Sequence, residues 1–465
     1  MKKSICALSL AAVTSVSMFA GCNSGTQDYS TQYKNTFNVN DRVIYNNGTV
    51  LIDITDPDKP SFPCLAEEKS ETSDSPIPGS ENITKAFTLD CKRSIINGNE
   101  AISGELSNYT QIYHYDLSDT TNVKRTILYD EGSWVGPVKA KLGSSYSEED
   151  IKEISDYMKY RSSDWSDGGD GYIYFDHSCG NEHFNSYKKL NYIVGRFSKD
   201  GKGMEIMNDI TACSIALKDG YIYYADSGYT LDGKENYSAD KGRMGIYKVK
   251  TDGTDKQKLA DIAPYSNLTD SELWTRAVGR LEIVNNDLYY IAENNSEDTY
   301  LYKLSLSGGQ PQQVITESVS DYYVDTASGT IYYQDGQMYC NSASGNTFYS
   351  MSIATGEKKA LFTKLSAQTG VNWMSVAGDY LYISDRNRFK AWKTITKGEN
   401  VESDDPSGQR FNLKTGEMEY LECYTEVEKE VDILGVEKIK SVGPMNMNWK
   451  KYIGRPVENG VTIYV

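Results

Sequence analysis

The chain has 465 residues, of which 65 are acidic and 48 basic, giving a formal net charge of −17 at pH 7. This acidic balance argues against nucleic acid as a partner and against adhesion to anionic lipid headgroups, because both favour a basic protein surface. Tyrosine is unusually frequent, with 37 tyrosines against three histidines, so catalytic schemes built on several histidines have few residues to use.

The N-terminus carries two lysines and then an apolar run over residues 5–20. A membrane-spanning helix needs ~20 unbroken apolar residues, so this shorter run predicts a removable export signal. The segment Phe-Ala-Gly-Cys at 19–22 resembles the bacterial lipobox. The resemblance implies that Cys22 is lipidated and becomes the mature N-terminus once residues 1–21 are removed. The alternative is an ordinary secretory signal with an incidental cysteine.

Residues 22–40 are polar and show neither helical nor strand periodicity, which predicts a flexible tether reaching on the order of 20 Å. No later segment is long and apolar enough to span a bilayer. The sequence therefore predicts a body that is lipid-anchored through Cys22 on the extracytoplasmic face of a bacterial membrane.

Six cysteines remain once Cys6 leaves with the signal and Cys22 is lipidated. An extracytoplasmic location permits disulfides, but no tight spacing identifies a pair. Buried free cysteines and one or two bridges both stay open, with Cys64–Cys91 the first pair to test. The six are Cys64, Cys91, Cys179, Cys213, Cys340 and Cys423.

One phrase recurs along the chain: a turn dipeptide, four or five β-forming residues and a closing acidic residue, as in DGYIYYAD at 219–226. A second phrase follows it, with alternating apolar and polar residues and then a turn, as in GIYKVKTDGT at 245–254. Both predict short strands joined by tight turns. The first phrases are spaced 43 to 66 residues apart and centre on Ile173, Ile222, Leu288, Ile331 and Leu381.

A period of this length with about four short strands is typical of an all-β fold, the β-propeller. Residues 41–465 are expected to form one propeller of seven blades, with six or eight as alternatives and a pair of β-sandwiches as the rival fold. The final segment, 460–465, is predicted to complete a blade begun by residues 42–54 and so to close the ring. Blades are expected to start near residues 41, 87, 170, 213, 280, 320 and 372.

The Ile-Tyr-Tyr-x-Asp core resembles the repeat of YWTD propellers of low-density-lipoprotein-receptor type. The paired phrases are similar to a family of propeller-like bacterial lipoproteins, over about residues 170–423. The tryptophan of the YWTD motif is tyrosine or absent in this chain. The resemblance therefore implies a propeller but no receptor-type ligand.

A short helical insertion is predicted near 147–160. Ser147 to Asp150 resembles a capping box, and apolar residues follow at helical spacing. Packing against the ring and docking of a partner are the two interpretations of this helix.

Two groups of potential ligands stand near the middle of the chain. His177, Cys179, Glu182 and His183 match no common zinc spacing. Asp164, Asp167 and Asp170 lack the EF-hand order, which favours a solvated turn over a calcium site. No nucleophile elbow, metalloprotease motif or nucleotide-binding loop occurs. No catalytic, metal-binding or cofactor-binding residue is therefore predicted.

Most tyrosines are expected to pack between blades, while a minority, with the tryptophans, could line the mouth of the ring and stack on sugars or peptides. The tryptophans are Trp134, Trp165, Trp274, Trp373, Trp392 and Trp449.

The preferred hypothesis is a monomeric, non-enzymatic propeller that binds a protein, peptide or glycan at the cell surface. The alternatives are a carbohydrate-active propeller enzyme, either a lyase or a hydrolase, and a structural component of envelope assembly.

Replacing Cys22 by Ala removes the acceptor of the predicted lipid. We expect the Cys22→Ala chain to leave the membrane fraction, because no later segment is long and apolar enough to span a bilayer. Fractionation of cells that express the two chains checks this, and retention of the variant on membranes would contradict the lipid anchor.

Overall fold

The computed structural model describes residues 34–39, 41–47, 51–61, 65–66, 85–86, 94–104, 111–118, 124–143, 146–159, 162–177, 193–212, 214–226, 229–231, 237–239, 242–262, 278–293, 298–336, 347–364, 373–384, 393–400, 406–456 and 462–464. Cys22, the predicted signal and the cysteines other than Cys423 lie outside these ranges. Cys423 is a buried free thiol. Within the described ranges, no helix combines the length and apolarity needed to cross a bilayer.

Seven antiparallel sheets follow one another along the chain, and we number them blades 1 to 7. Blade 1 consists of Thr36–Val39, Arg42–Asn46 and Leu51–Asp53. Blade 2 consists of Ser94–Asn97, Glu100–Gly104, Ile112–Asp116 and Lys124–Tyr129. Blade 3 consists of Ser162–Asp167, Tyr172–His177, Ile193–Ser198 and Met204–Thr211. Blade 4 consists of Ile215–Lys218, Tyr221–Asp226, Gly245–Lys250 and Gln257–Ala260. Blade 5 consists of Val278–Val284, Asp287–Glu293, Thr299–Ser305 and Gln312–Gln313. Blade 6 consists of Val319–Asp325, Thr330–Asp335, Thr347–Ser352 and Lys358–Lys364. Blade 7 consists of Trp373–Ala377, Tyr380–Ser384, Gln409–Asn412 and Met418–Val431.

Additional strands lie outside this order. Leu65–Ala66 pairs with Lys85–Ala86, and Tyr229–Leu231 pairs with Tyr237–Ala239. Others flank blades 6 and 7: Lys393–Thr396, Glu437–Lys451, Arg455–Pro456 and Thr462–Tyr464.

Seven clusters of buried side chains join the blades into a closed ring. Six of the clusters each join one blade to the next along the chain. The seventh cluster joins Tyr45 and Ile52 of blade 1 to Tyr382 and Leu421 of blade 7. The contacts therefore return to the first blade, and the fold is a seven-bladed β-propeller, as the repeat predicts.

The repeated tyrosine phrase is explained by this packing. In the second strand of blade 4, Ile222 and Tyr224 pack toward blade 3, whereas Tyr223 packs toward blade 5. Successive strand residues point to opposite faces of a sheet, and here both faces are covered by neighbouring blades. A continuous run of apolar and aromatic residues is therefore buried where a one-sided sheet would need alternation.

The ring closes through polar contacts between the two ends of the chain. The side-chain amide of Asn35, just before the first strand, donates to the carbonyl oxygens of Trp373 and Tyr382 at 2.9 and 3.1 Å. The Asn35 amide also lies 2.9 Å from the hydroxyl of Ser384, and the Tyr45 hydroxyl donates to the Ile383 carbonyl. These contacts join blade 1 to blade 7 without a covalent bond.

A buried arginine reinforces the same junction. The Arg410 Nε donates to Glu419 Oε2 at 2.6 Å, and its Nη1 donates to the carbonyl of Pro57, which follows blade 1. The guanidinium lies between two rings, 3.9 Å from the Tyr380 centroid and 4.2 Å from the Trp449 centroid. Its charge is thus paired, hydrogen-bonded and stacked, as burial of an arginine requires.

The predicted helix is confirmed as Glu148–Lys159, and its capping box forms. The Asp150 N–H donates to Ser147 Oγ, and the Ser147 N–H donates to Asp150 Oδ2. A further helix, Val135–Leu142, precedes it and follows a 3₁₀ turn at Glu131–Trp134; we label the two helices α1 and α2 in chain order. Trp134, Val138 and Ile151 pack into the cluster between blades 2 and 3, so the helices are attached to the ring.

Two expectations about the chain ends are wrong. The segment Thr36–Val39, placed in the tether by the sequence, is the first strand of blade 1, because Val39 packs into the core and Asn35 anchors the strand. The C-terminal strand Thr462–Tyr464 does form, but it pairs in parallel with Lys358–Lys364 of blade 6. It therefore does not complete blade 1, whose third strand is instead bridged by Ser61 at Asp53.

Replacing Asn35 by Ala should lower the free energy of unfolding by about 3 kcal/mol, because buried carbonyls of blade 7 lose their donor. Asn38→Ala is the matched control: Asn38 is exposed on the same strand, and its loss should change stability by less than about 0.5 kcal/mol. Urea unfolding of both variants measures the difference, and equal stabilities would contradict closure through Asn35.

Candidate binding face

The two faces of the ring differ in the length of their connections. On one, the turn face, first strands meet second strands and third meet fourth through short turns, such as residues 219–220 and 353–357. On the other, the loop face, second strands end and third strands begin, and more residues separate the two in sequence. In four blades the intervening residues are 178–192, 227–244, 336–346 and 385–408.

Other features lie on the loop face as well. Blades 2 and 3 are connected there by the segment that holds α1 and α2. Asn35 also lies there, since it contacts Trp373 and Ser384, the residues at which the first strand of blade 7 begins and its second strand ends. The chain therefore enters the ring on the loop face.

A long hairpin extends from blade 7 beyond the loop face. Its strands, Met418–Val431 and Glu437–Lys451, pair over nearly their whole length, but the third strand of blade 7 accompanies them only as far as Tyr420. We call the part from 422 to 448 the arm. Its base is supported by Lys393–Thr396, which pairs in parallel with residues 424–427.

The arm has a buried base and an exposed end. Cys423, Thr425 and Val427 are buried, and burial raises the pKa of the Cys423 thiol to about 12. From residue 428 outward, the side chains are exposed or half-buried. The arm is not predicted from the sequence, although the alternating residues of 418–427 show that a strand is present.

Asp226 and Asp335, which close the repeated phrase in blades 4 and 6, lie at the ends of second strands, at the loop face. Asp226 is buried and accepts from Arg243 Nη2 at 3.2 Å, and Asp335 accepts from the Thr347 N–H at 2.8 Å. Burial raises the pKa of Asp335. Arg243 lies two positions before the third strand of blade 4, and Thr347 is the first residue of the third strand of blade 6. These carboxylates therefore hold the start of each third strand.

A second buried charge cluster joins the first strands of blades 5 and 6. The Arg280 guanidinium pairs with Asp321, and both side chains are buried. The Tyr322 hydroxyl donates to the Arg280 carbonyl at 2.6 Å, while Arg280 Nη2 donates to the Tyr322 carbonyl at 3.0 Å. Arg280 has φ +53° at a register shift in the sheet, a β-bulge. Because the pair is closed to solvent, it links blades rather than binding a ligand.

The candidate ligands named from the sequence do not form a site in the described residues. Cys179, Glu182 and His183 lie outside those residues, and His177 ends the second strand of blade 3. Elsewhere in the described ranges, no three His, Cys, Asp or Glu side chains group so as to hold a metal ion.

Asp167 and Asp170 take structural roles. Ser162–Asp167 is the first strand of blade 3, so the expectation of a turn over this stretch is wrong before residue 168. Asp167 Oδ2 lies 2.5 Å from Lys199 Nζ, and Asp170 accepts from the Tyr174 hydroxyl at 2.7 Å. Burial and this hydrogen bond raise the pKa of Tyr174 to about 12.

The aromatic residues that are described belong mostly to the core. Fourteen tyrosines of the described ranges are buried, and several stack on tyrosines directly across the sheet, with ring centroids 5.1–5.6 Å apart. Trp134, Trp165 and Trp373 are buried, and Trp449 packs on Arg410. Trp274 and Trp392 lie outside the described residues. The stacked pairs are Tyr224–Tyr247, Tyr290–Tyr302 and Tyr333–Tyr349.

No protein-family model matches the sequence, and no curated protein matches it. Among solved structures, similarity extends to a nidogen–laminin complex at 14% identity, covering 66% of this chain and 88% of that chain, with a TM-score of 0.34. An oligogalacturonate lyase from Vibrio parahaemolyticus is 9% identical, with 93% and 91% covered and a TM-score of 0.40. A puromycin-hydrolyzing peptidase of Mycobacterium tuberculosis is 11% identical, with 84% and 54% covered and a TM-score of 0.44. Similarity this low indicates neither activity nor ligand.

Asp321→Ala should lower the free energy of unfolding by about 3–5 kcal/mol, because it leaves the Arg280 guanidinium buried without its carboxylate. The matched control is Asp379→Ala, which removes a 2.7 Å ion pair with Lys414 that is open to solvent and worth about 0–1 kcal/mol. Denaturant unfolding distinguishes the two, and a cost for Asp321→Ala as small as that of the control would contradict a structural role for the pair.

Proposed function

We propose that this protein is a lipid-tethered, extracytoplasmic propeller whose loop face binds a protein, peptide or glycan without chemical turnover. One observation carries the proposal: the long connections, the helices and the arm all leave a rigid ring on the same face. Binding residues are commonly carried on variable loops that a rigid scaffold positions. The turn face, in contrast, offers short turns with little room for variation.

Three buried carboxylates of the described residues also favour binding over catalysis. The carboxylates of Asp226, Asp321 and Asp335 are each held by a neighbouring blade or by a residue at the start of a third strand. A catalytic acid or base must reach its substrate within hydrogen-bonding distance. These three carboxylates hold the ring together and do not face a substrate. They therefore support recognition of a ligand by the surface of the loop face.

The proposed location follows from the lipobox resemblance at Cys22. The described chain begins at Lys34, beside Asn35 on the loop face. A lipid on Cys22 would thus attach the ring to its membrane through a short segment that joins this face. The protein would act as a monomer displayed close to the membrane surface.

A photo-crosslinking amino acid at Asn400 tests the proposal on intact cells. Asn400 is exposed just after the strand Lys393–Thr396, which pairs with the base of the arm at the loop face, and Thr355 is exposed in a turn on the opposite face. We expect a discrete adduct from position 400 and none from position 355. Equal adducts from both positions would contradict a binding face, and turnover of a glycan by the purified chain would favour the enzyme alternative.

A further inference from the structure

The end of the arm is an exposed apolar turn. We call residues 431–436 the tip. Ile433 and Leu434 are 102% and 82% exposed, and Val431 and Val436 beside them are 64% and 52% exposed. A soluble surface rarely concentrates four large aliphatic side chains on one turn unless they contact another surface.

Most backbone N–H groups of the tip form hydrogen bonds within the turn. Asp432 Oδ1 accepts from the N–H groups of Leu434 and Val436 at 2.9 and 3.0 Å. The Asp432 and Gly435 N–H groups donate to the carbonyls of Val436 and Asp432, both at 2.9 Å. The tip can therefore leave water at a lower cost than an open loop, whose free amides would have to be desolvated.

The charges below the tip largely cancel. Lys429 pairs with Glu437, Lys438 with Asp432, and Lys440 with Glu428, at 3.1–3.9 Å. Residues 428–440 contain four acidic and three basic side chains, a net charge of −1, in a chain whose net charge is −17. The acidity of the protein as a whole thus does not repel this segment from a lipid surface.

The arm and the tether leave the ring on the same face. Asn35 and Ser384 mark where the chain enters blade 1, and the arm departs from Leu421 beside Gly408 on that face. Residues 422–433 span ~40 Å at the rise of a β-strand. A tether of residues 22–34 spans at most ~45 Å when fully extended and ~20 Å as a coil. A tether of this length would keep the membrane surface close enough to the loop face for the arm to reach it.

We propose that the tip inserts into the interface of the lipid bilayer to which the chain is tethered, so that the arm sets the height of the loop face above the membrane. This inference rests on the proposed tether at Cys22 for its geometry. Insertion of aliphatic side chains at the headgroup boundary is driven by apolar burial and needs no anionic lipid. The ligand of the loop face would then lie in the gap between the ring and the membrane.

Tryptophan scanning with brominated lipid tests this insertion. Leu434→Trp places a fluorophore at the tip, and Ile453→Trp places one at the other end of the same hairpin, where Ile453 is 92% exposed. Full-length, lipidated chains are reconstituted into phosphatidylcholine vesicles with and without brominated acyl chains. We expect the added emission from position 434 to shift to the blue and to fall about twofold with brominated lipid. The added emission from position 453 should change in neither respect.

The same samples separate failure of the arm from failure of the tether. Sedimentation with vesicles reports the tether, and quenching reports the tip. Vesicle-bound L434W protein whose added emission is unquenched would overturn insertion and leave the tether intact. If tip emission is unquenched and Ile433→Ser with Leu434→Ser abolishes a cell-surface adduct, the tip contacts a protein, which also overturns the inference. Quenching at position 434 when the unlipidated Cys22→Ala chain is added to vesicles would support insertion even without the tether.

Discussion

The structure depends on the junction between blade 1 and blade 7. A propeller blade cannot cover both of its faces alone, so each blade is stable only between two neighbours. Six junctions in this ring join consecutive segments of the chain, whereas the seventh must be made by residues more than 300 positions apart. It uses Asn35, Tyr45 and Arg410, whose side chains donate to backbone carbonyls across the gap. Since these polar groups would be costly to bury unpaired, they fix which blades meet.

Closure at this junction also determines where the chain begins. Because the first strand is seated against the start of blade 7, the segment before it must leave on the loop face. The arm leaves from the neighbouring blade on the same side. The chain entry and the arm therefore share a face with the ends of the second strands, and the proposed recognition at a membrane surface rests on this arrangement.

Much of this architecture can be predicted from the repeat, because tyrosine and isoleucine on successive positions indicate strands covered on both faces. The capping box at Ser147 is visible in the sequence for a related reason: its hydrogen bonds are local. The features that escape prediction depend on distant partners. Thr36–Val39 is short and polar enough to resemble a tether, and the partner of Thr462–Tyr464 cannot be inferred from its own residues. The Arg280–Asp321 pair joins two blades, and its only trace in each strand is a charged residue among mostly apolar neighbours, which does not identify the partner.

The closed ring is tested most directly by a disulfide between Thr36→Cys and Ser375→Cys. These side chains lie on blades 1 and 7, and their hydroxyl oxygens are 2.7 Å apart although the residues are 339 positions apart in sequence. Side chains this close satisfy the separation that a disulfide needs. Oxidation of the folded double variant should crosslink positions 36 and 375 in nearly all molecules, measured by mass spectrometry of peptides. Absence of the crosslinked peptide from folded protein would contradict closure of blade 1 on blade 7.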